Sequence, residues 1–85
     1  MDLTSKTTVF RYGQNDRSES IRKTLQEVYE ALQEKGYNPV GQIVGYLMSG
    51  DPTFITSHRG ARNLMAAIER DVMLEEFIVH YLEKR

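Results

Sequence analysis

Four hydroxyl side chains, Thr4, Ser5, Thr7 and Thr8, crowd the start of this chain, just ahead of the apolar-aromatic run Val9-Phe10-Arg11-Tyr12. A hydroxyl can accept a phosphoryl group, which brings about −1.5 to −2 charges at neutral pH together with strong acceptor oxygens. Counter-charges stand between His58 and Arg70, where Arg59, Arg62 and Arg70 outnumber the one acid, Glu69. Residues for covalent or metal chemistry are scarce. Cysteine is absent, and the two histidines, His58 and His80, fall on different elements without HExxH spacing. There is no phosphate-cradling P-loop and no GxSxG elbow. Glu75-Glu76 is an adjacent carboxylate pair, yet neighbours on a helix point about 100° apart and do not converge on one substrate. The pair reads as a solvated face. These residues describe a binding protein with no enzymatic centre, no cofactor and no metal.

Eighty-five residues make one domain near the lower limit for a self-sufficient core, and no disulfide supplements it. Association is the usual way for so short a chain to bury more apolar area, so a homodimer is expected. A composition of 40% hydrophobic and 27% charged residues is that of a folded globular protein. The net charge of −1 argues against bulk electrostatic binding to nucleic acid or anionic lipid. The acids Asp71, Glu75, Glu76 and Glu83 follow the basic segment directly, which suits two helices pairing within the fold or across a dimer. No stretch approaches the ~18 consecutive apolar residues of a membrane span. Met1-Asp2-Leu3-Thr4-Ser5-Lys6 lacks the apolar core of a signal peptide, so a cytoplasmic location and no membrane insertion are expected.

The elements that must position these residues are helices. Residues 1–17 show no clear helical period and read as a flexible N-terminal arm, within which Val9–Tyr12 suits a short strand or a docked extended segment. The helical domain then spans 18–85. Its first helix runs from about Ser18 to Lys35, with Ile21, Leu25, Val28 and Leu32 forming one apolar stripe at i, i+4, i+7 and i+11. Glu27, Glu30 and Glu34 lie on its solvent side, and Gly36 ends it. A second helix follows, about Pro39 to Ser49, with Asn38 as cap and Pro39 at its first position. It is apolar nearly all round (Val40, Ile43, Val44, Leu47, Met48), so it is buried on several sides or lies in an interface. Gly41 and Gly45 suit close packing, either within the monomer or at a dimer seam. Asp51 and Pro52 start a short helical turn. A helix from about Arg59 to Glu69 carries Ala61, Leu64, Met65 and Ile68. A last helix, about Asp71 to Lys84, has Val72, Leu74, Phe77, Ile78, Tyr81 and Leu82 as its apolar set. No Gly or Pro separates these two, which leaves one bent helix as an alternative. The whole is an all-α, compact small bundle of four to five short helices.

A helix-turn-helix nucleic-acid binder is the alternative reading. Residues 39–49 followed by a helix with Ser57, His58, Arg59, Arg62 and Asn63 near its start make a superficially suitable pair. The stretch from Asp51 to Ser57 is long for the three- or four-residue turn of that motif, and the overall charge is wrong for strong phosphate contacts.

The block Gly36-Tyr37-Asn38-Pro39, Gln42-Ile43-Val44-Gly45-Tyr46-Leu47, Ser49-Gly50-Asp51-Pro52, with Ile55, His58, Ala61 and Arg62, resembles the IreB family of small regulators from Gram-positive bacteria. Phe54 stands where that family often has Tyr. The resemblance implies a helical, homodimeric, cytoplasmic and non-enzymatic protein. It further implies phosphorylation by a membrane Ser/Thr kinase with extracellular PASTA repeats. Thr7, within Lys6-Thr7-Thr8-Val9-Phe10, falls at the family's acceptor position and Thr4 at a second one. The family's role in cell-wall (peptidoglycan) synthesis and antibiotic tolerance is implied too. In some members this involves Clp-dependent degradation of UDP-N-acetylglucosamine 1-carboxyvinyltransferase. Partner contact is expected at Arg62 and Arg70, with His58 and Arg59 beside them. The chain departs from the family at Thr56-Ser57, where Pro-Arg is common, at Ala66-Ala67, where a basic pair is common, and at Met73 and Phe77. Its basic surface is correspondingly thinner.

Overall fold

The computed structural model describes residues 2–83, and their side chains from Asp16 onward. The fold is all-α: α1 (Asp2–Glu34), α2 (Pro39–Ser49), α3 (Ala61–Ala66) and α4 (Arg70–Leu82), with 3-10 turns at Pro52–Phe54 and His58–Gly60. No strand occurs among the described residues. α1 starts well before the Ser18 expected of the first helix. It is 33 residues long and takes in Val9–Tyr12, where a strand or extended segment was expected. The side chains of Thr4 and Thr7 lie outside the described residues.

One face of α1 is the wall on which the other elements pack. Ile21, Val28 and Leu32 are buried as their spacing requires, and Leu25 packs beside them. Ala31, also fully buried, gives the later helices room to approach. The helix stops in a Schellman arrangement: the Tyr37 N–H donates to Leu32 O, the Gly36 N–H to Gln33 O, both at 3.0 Å. Gly36 supplies the left-handed residue this needs, at φ 85°.

α2 begins and ends as the sequence indicates. The Asn38 side chain accepts from the Gly41 N–H at 3.2 Å, Pro39 opens the helix, and left-handed Gly50 donates its N–H to Tyr46 O at 2.7 Å. The next turn then folds back onto it. Asp51 caps this turn by accepting from the Thr53 N–H and hydroxyl, and the Gln42 side-chain amide donates to Phe54 O at 2.9 Å. The Phe54 ring lies against Gly45 so closely that a β-carbon there would stand 2.5 Å from a ring carbon. Gly45 therefore packs against a ring within the monomer. Gly41 meets only its own cap residue, Asn38.

Burial of α2 on several sides does not occur within this chain, and the inward set expected of α4 is corrected. α2 buries only Tyr46 fully, with Ile43 and Leu47 half-buried, while Val40, Val44 and Met48 are exposed. In α4 the inward residues are Met73 and Glu76, flanked by Val72 and Phe77. Leu74, Ile78, Tyr81 and Leu82 face outward instead, because α4 crosses α1 along the line of Met73 and Glu76. The break between α3 and α4 is real. Glu69 is extended (φ −70°, ψ 145°) although no Gly or Pro enforces it. The half-buried Ile68, packed on the core, holds the chain there.

The two glycines of α2 separate packing from propensity. Alanine improves an exposed helix position by up to ~1 kcal/mol, whereas forcing a methyl into a filled site costs about 1–3 kcal/mol. We expect Gly45→Ala to lower the melting temperature by several degrees, and Gly41→Ala to leave it unchanged or raise it, in thermal unfolding followed by circular dichroism.

Candidate functional site

The basic segment is built from the backbone outward. Thr56 Oγ1 accepts from the His58 N–H at 3.1 Å and opens the second 3-10 turn. Arg59 and Gly60 then follow with φ values of 59° and 71°, so two successive left-handed residues swing the chain into α3. Glycine takes this conformation freely; a residue with a β-carbon does not. Arg59 is held there by its side chain. Its guanidinium reaches Glu27 at 2.6 Å and Glu34 at 2.9 Å, with Glu30 at 3.5 Å, while His58 Nε2 lies 2.7 Å from the other oxygen of Glu34. The three acids lie on successive turns of α1, so one arginine spans them all. Isolated surface pairs contribute little, but one guanidinium shared among three carboxylates, with His58 on the same Glu34, makes this a network.

Glu34 registers the network electrostatically. The hydrogen bond from His58 is the main influence holding its carboxyl below the ordinary value near 4.5; partial desolvation opposes this and the Arg59 charge reinforces it. Asp51 is likewise held below its usual 3.8, first by the Thr53 N–H and then by the Thr53 hydroxyl.

The other two expected contact residues brace carbonyls. Arg62 Nε donates to Ile55 O at 2.9 Å, fixing the end of the first 3-10 turn. Arg70 Nη1 donates to Leu47 O at 3.0 Å, closing the C-terminus of α2 where a cation suits the helix dipole. Its guanidinium lies against Gly50, where a β-carbon would meet it at 2.9 Å. Of the four cations, only His58 and Arg59 share a cluster, and all four have partners within the chain. α3 has six residues and starts after Arg59, so it provides no recognition helix of ordinary length for the helix-turn-helix alternative.

A second polar group sits where α4 meets α1. Glu76 is buried, contrary to its reading as a solvated face, and lies 3.1 Å from His80 Nε2 one turn further on. Ser18 Oγ is also 3.1 Å from His80 Nε2. Both contacts meet the same ring nitrogen, whereas a serine–histidine–acid relay uses both nitrogens in turn. The trio therefore lacks the geometry for nucleophilic catalysis. Each histidine thus pairs with a glutamate that the sequence pattern assigns to a solvated face. For His80 the four-residue spacing was the available signal. For His58 it was the acid spacing along α1.

Among the described residues no group of three or more His, Asp or Glu side chains is placed to hold a metal, and no helix is long and apolar enough to cross a membrane. A family model described as "IreB regulatory phosphoprotein" matches residues 5–83, nearly the whole chain.

Two outcomes test the cluster. Glu34 has a depressed pKa in the folded state, so its contribution to stability is present above about pH 4.5 and is lost as pH falls through the lowered value. Carboxyl titration by NMR should show Glu34 below its ordinary value, and His58→Ala should move it back up. Because Arg59 combines a strained backbone with stabilising side-chain bonds, Arg59→Gly should melt above Arg59→Ala, and both below the parent protein.

Proposed function

This chain belongs to the IreB family of regulatory phosphoproteins, and from that premise we propose that it acts without catalysis, as a cytoplasmic adaptor whose protein binding is set by threonine phosphorylation. The observation that carries this reading is the family match over residues 5–83. Thr7 lies inside the matched stretch and is the proposed principal acceptor; Thr4 lies just before it and is the second. The proposed donor enzyme is a membrane Ser/Thr kinase with PASTA repeats. The proposed process is peptidoglycan synthesis and antibiotic tolerance, through Clp-dependent turnover of UDP-N-acetylglucosamine 1-carboxyvinyltransferase.

The geometry supports a switch that works at the boundary with a partner. Arg59 is engaged with three carboxylates, and Arg62 and Arg70 each hold a backbone carbonyl. A phosphate seeking these cations within its own chain would have to displace bonds already made. Arg62 and Arg70 use Nε and Nη1 respectively, and so keep N–H groups for a partner. Two exposed apolar stripes, Val40-Val44-Met48 on α2 and Leu74-Ile78-Tyr81-Leu82 on α4, supply surface for the proposed homodimer and for partner contact.

In this reading unmodified protein holds its partner and phosphate on Thr7 weakens that hold through added negative charge. Intact-protein mass spectrometry with site mapping, on protein from cells with and without the kinase, should find kinase-dependent phosphate at Thr7 and a smaller fraction at Thr4. A Thr7→Ala variant should keep its partner in co-purification when the kinase is active. If that variant behaves like the parent protein in kinase-active cells, the proposal fails.

A further inference from the structure

Glu76 is the one buried polar or charged side chain among the described residues, at 5% exposure. A carboxylate has about four lone-pair sites, and burying it is costly unless they are met by donors or a cation. Among the described residues the one polar contact of Glu76 is His80 Nε2 at 3.1 Å, and Ser18 Oγ competes for that same nitrogen. If Nε2 carries the proton, one N–H is divided between two acceptors. If it does not, it accepts from Ser18 and the carboxylate has no donor at all. Either tautomer gives Glu76 at most one shared protein donor, so the rest of its hydrogen bonding is left to whatever fills the cavity it lines.

The carboxylate lines a cavity of about 240 Å³ between α1 and α4, whose walls are Ile21, Leu25 and Phe77, with His80 and Ser18 beside it. Arg22 also lines it but is exposed, and no ion pair joins it to Glu76. A cavity with apolar walls and a carboxylate in its lining has the chemistry for a long side chain with a methylene stem and a cationic head. A single carboxylate with one imidazole is too small a donor set for a metal ion. We infer that the cavity between α1 and α4 is a specificity pocket that takes an arginine or lysine side chain of a partner polypeptide, with Glu76 binding the cation and Ile21, Leu25 and Phe77 the stem. This is independent of which threonine is phosphorylated. It assigns the partner a basic anchor residue.

The test is a titration of the full chain with an acetylated, amidated Gly-Arg-Gly tripeptide, followed by NMR of the His80 and Phe77 rings. The control replaces arginine by norleucine. We expect saturable shifts with the arginine peptide and none with the control. Glu76→Gln should weaken binding by about tenfold or more. Leu25→Phe, which fills the channel and leaves the carboxylate in place, should abolish binding with the helical circular dichroism unchanged. No saturation, equal response to the norleucine peptide, or unaltered affinity in Glu76→Gln overturns the inference. So does a shift of the same rings that follows protein concentration alone, which would give the cavity to a second copy. If Glu76→Gln does not fold, Leu25→Phe decides: retained binding overturns the inference and lost binding supports it.

Discussion

Every other element of this protein depends on one stripe of α1, because Ile21, Val28, Ala31 and Leu32 are the surface on which α2, the linking turns, α3 and α4 are buried. None of those segments has a core of its own. α2 contributes Tyr46, the linking turns contribute Ile55, α3 contributes Ala61 and Met65, and α4 contributes Met73. Short helices are marginal in water by themselves, so their persistence here comes from packing on the long one. The chain supplements this packing at each edge with a directional polar contact.

Such local contacts account for several of the residues that carry the family resemblance. Asn38 and Pro39 start α2, Gln42 ties it to Phe54 O, and Gly45 admits the Phe54 ring. Ser49 Oγ receives the Asp51 N–H as the chain leaves the helix, and Asp51 caps the next turn. Arg62 and Arg70 then fasten the far ends of that turn and that helix. The run from Gly36 to Arg62 is thus largely a set of instructions for a helix, a reversal and a return to α1. Its specificity as a motif comes from how few side chains can satisfy caps, a glycine contact and a carbonyl brace in succession.

Caps and turns were legible in the sequence because their chemistry is local: Gly36, Asn38-Pro39, Gly50 and Asp51-Pro52 each act within a few residues. The stripe of α1 was legible for the same reason, since helical periodicity is a property of one segment. The facing of α4 was not. Leu74, Ile78 and Tyr81 are larger and more apolar than Glu76, so periodicity alone turns them inward; only the crossing with α1 decides for Met73 and Glu76. The partners of the basic residues were illegible too. Arg59 meets glutamates more than twenty residues earlier in the chain, and nothing in the spacing of His58, Arg59, Arg62 and Arg70 tells a brace from a binding surface. The length of α1 escaped notice because residues 2–17 lack a clear apolar period, and α1 forms without one there.

The use of cations as braces constrains how a phosphate could control this molecule. A phosphate drawn to Arg59, Arg62 or Arg70 would compete with the partners each of them already has. Here Arg59 lies among three carboxylates that already outnumber it, so a phosphate approaching that cluster meets net negative charge. Arg62 and Arg70 hold carbonyls whose release would loosen the first 3-10 turn and the end of α2. Rearrangement within the chain is therefore the costly response and exclusion of a partner the inexpensive one. A partner that brings its own basic residues would feel a new phosphate most directly in the opposite sense, by attraction. Under the proposed switch, weakened binding on phosphorylation thus requires acidic or apolar partner surface beside Thr7, whatever basic side chain the proposed partner presents to α1 and α4.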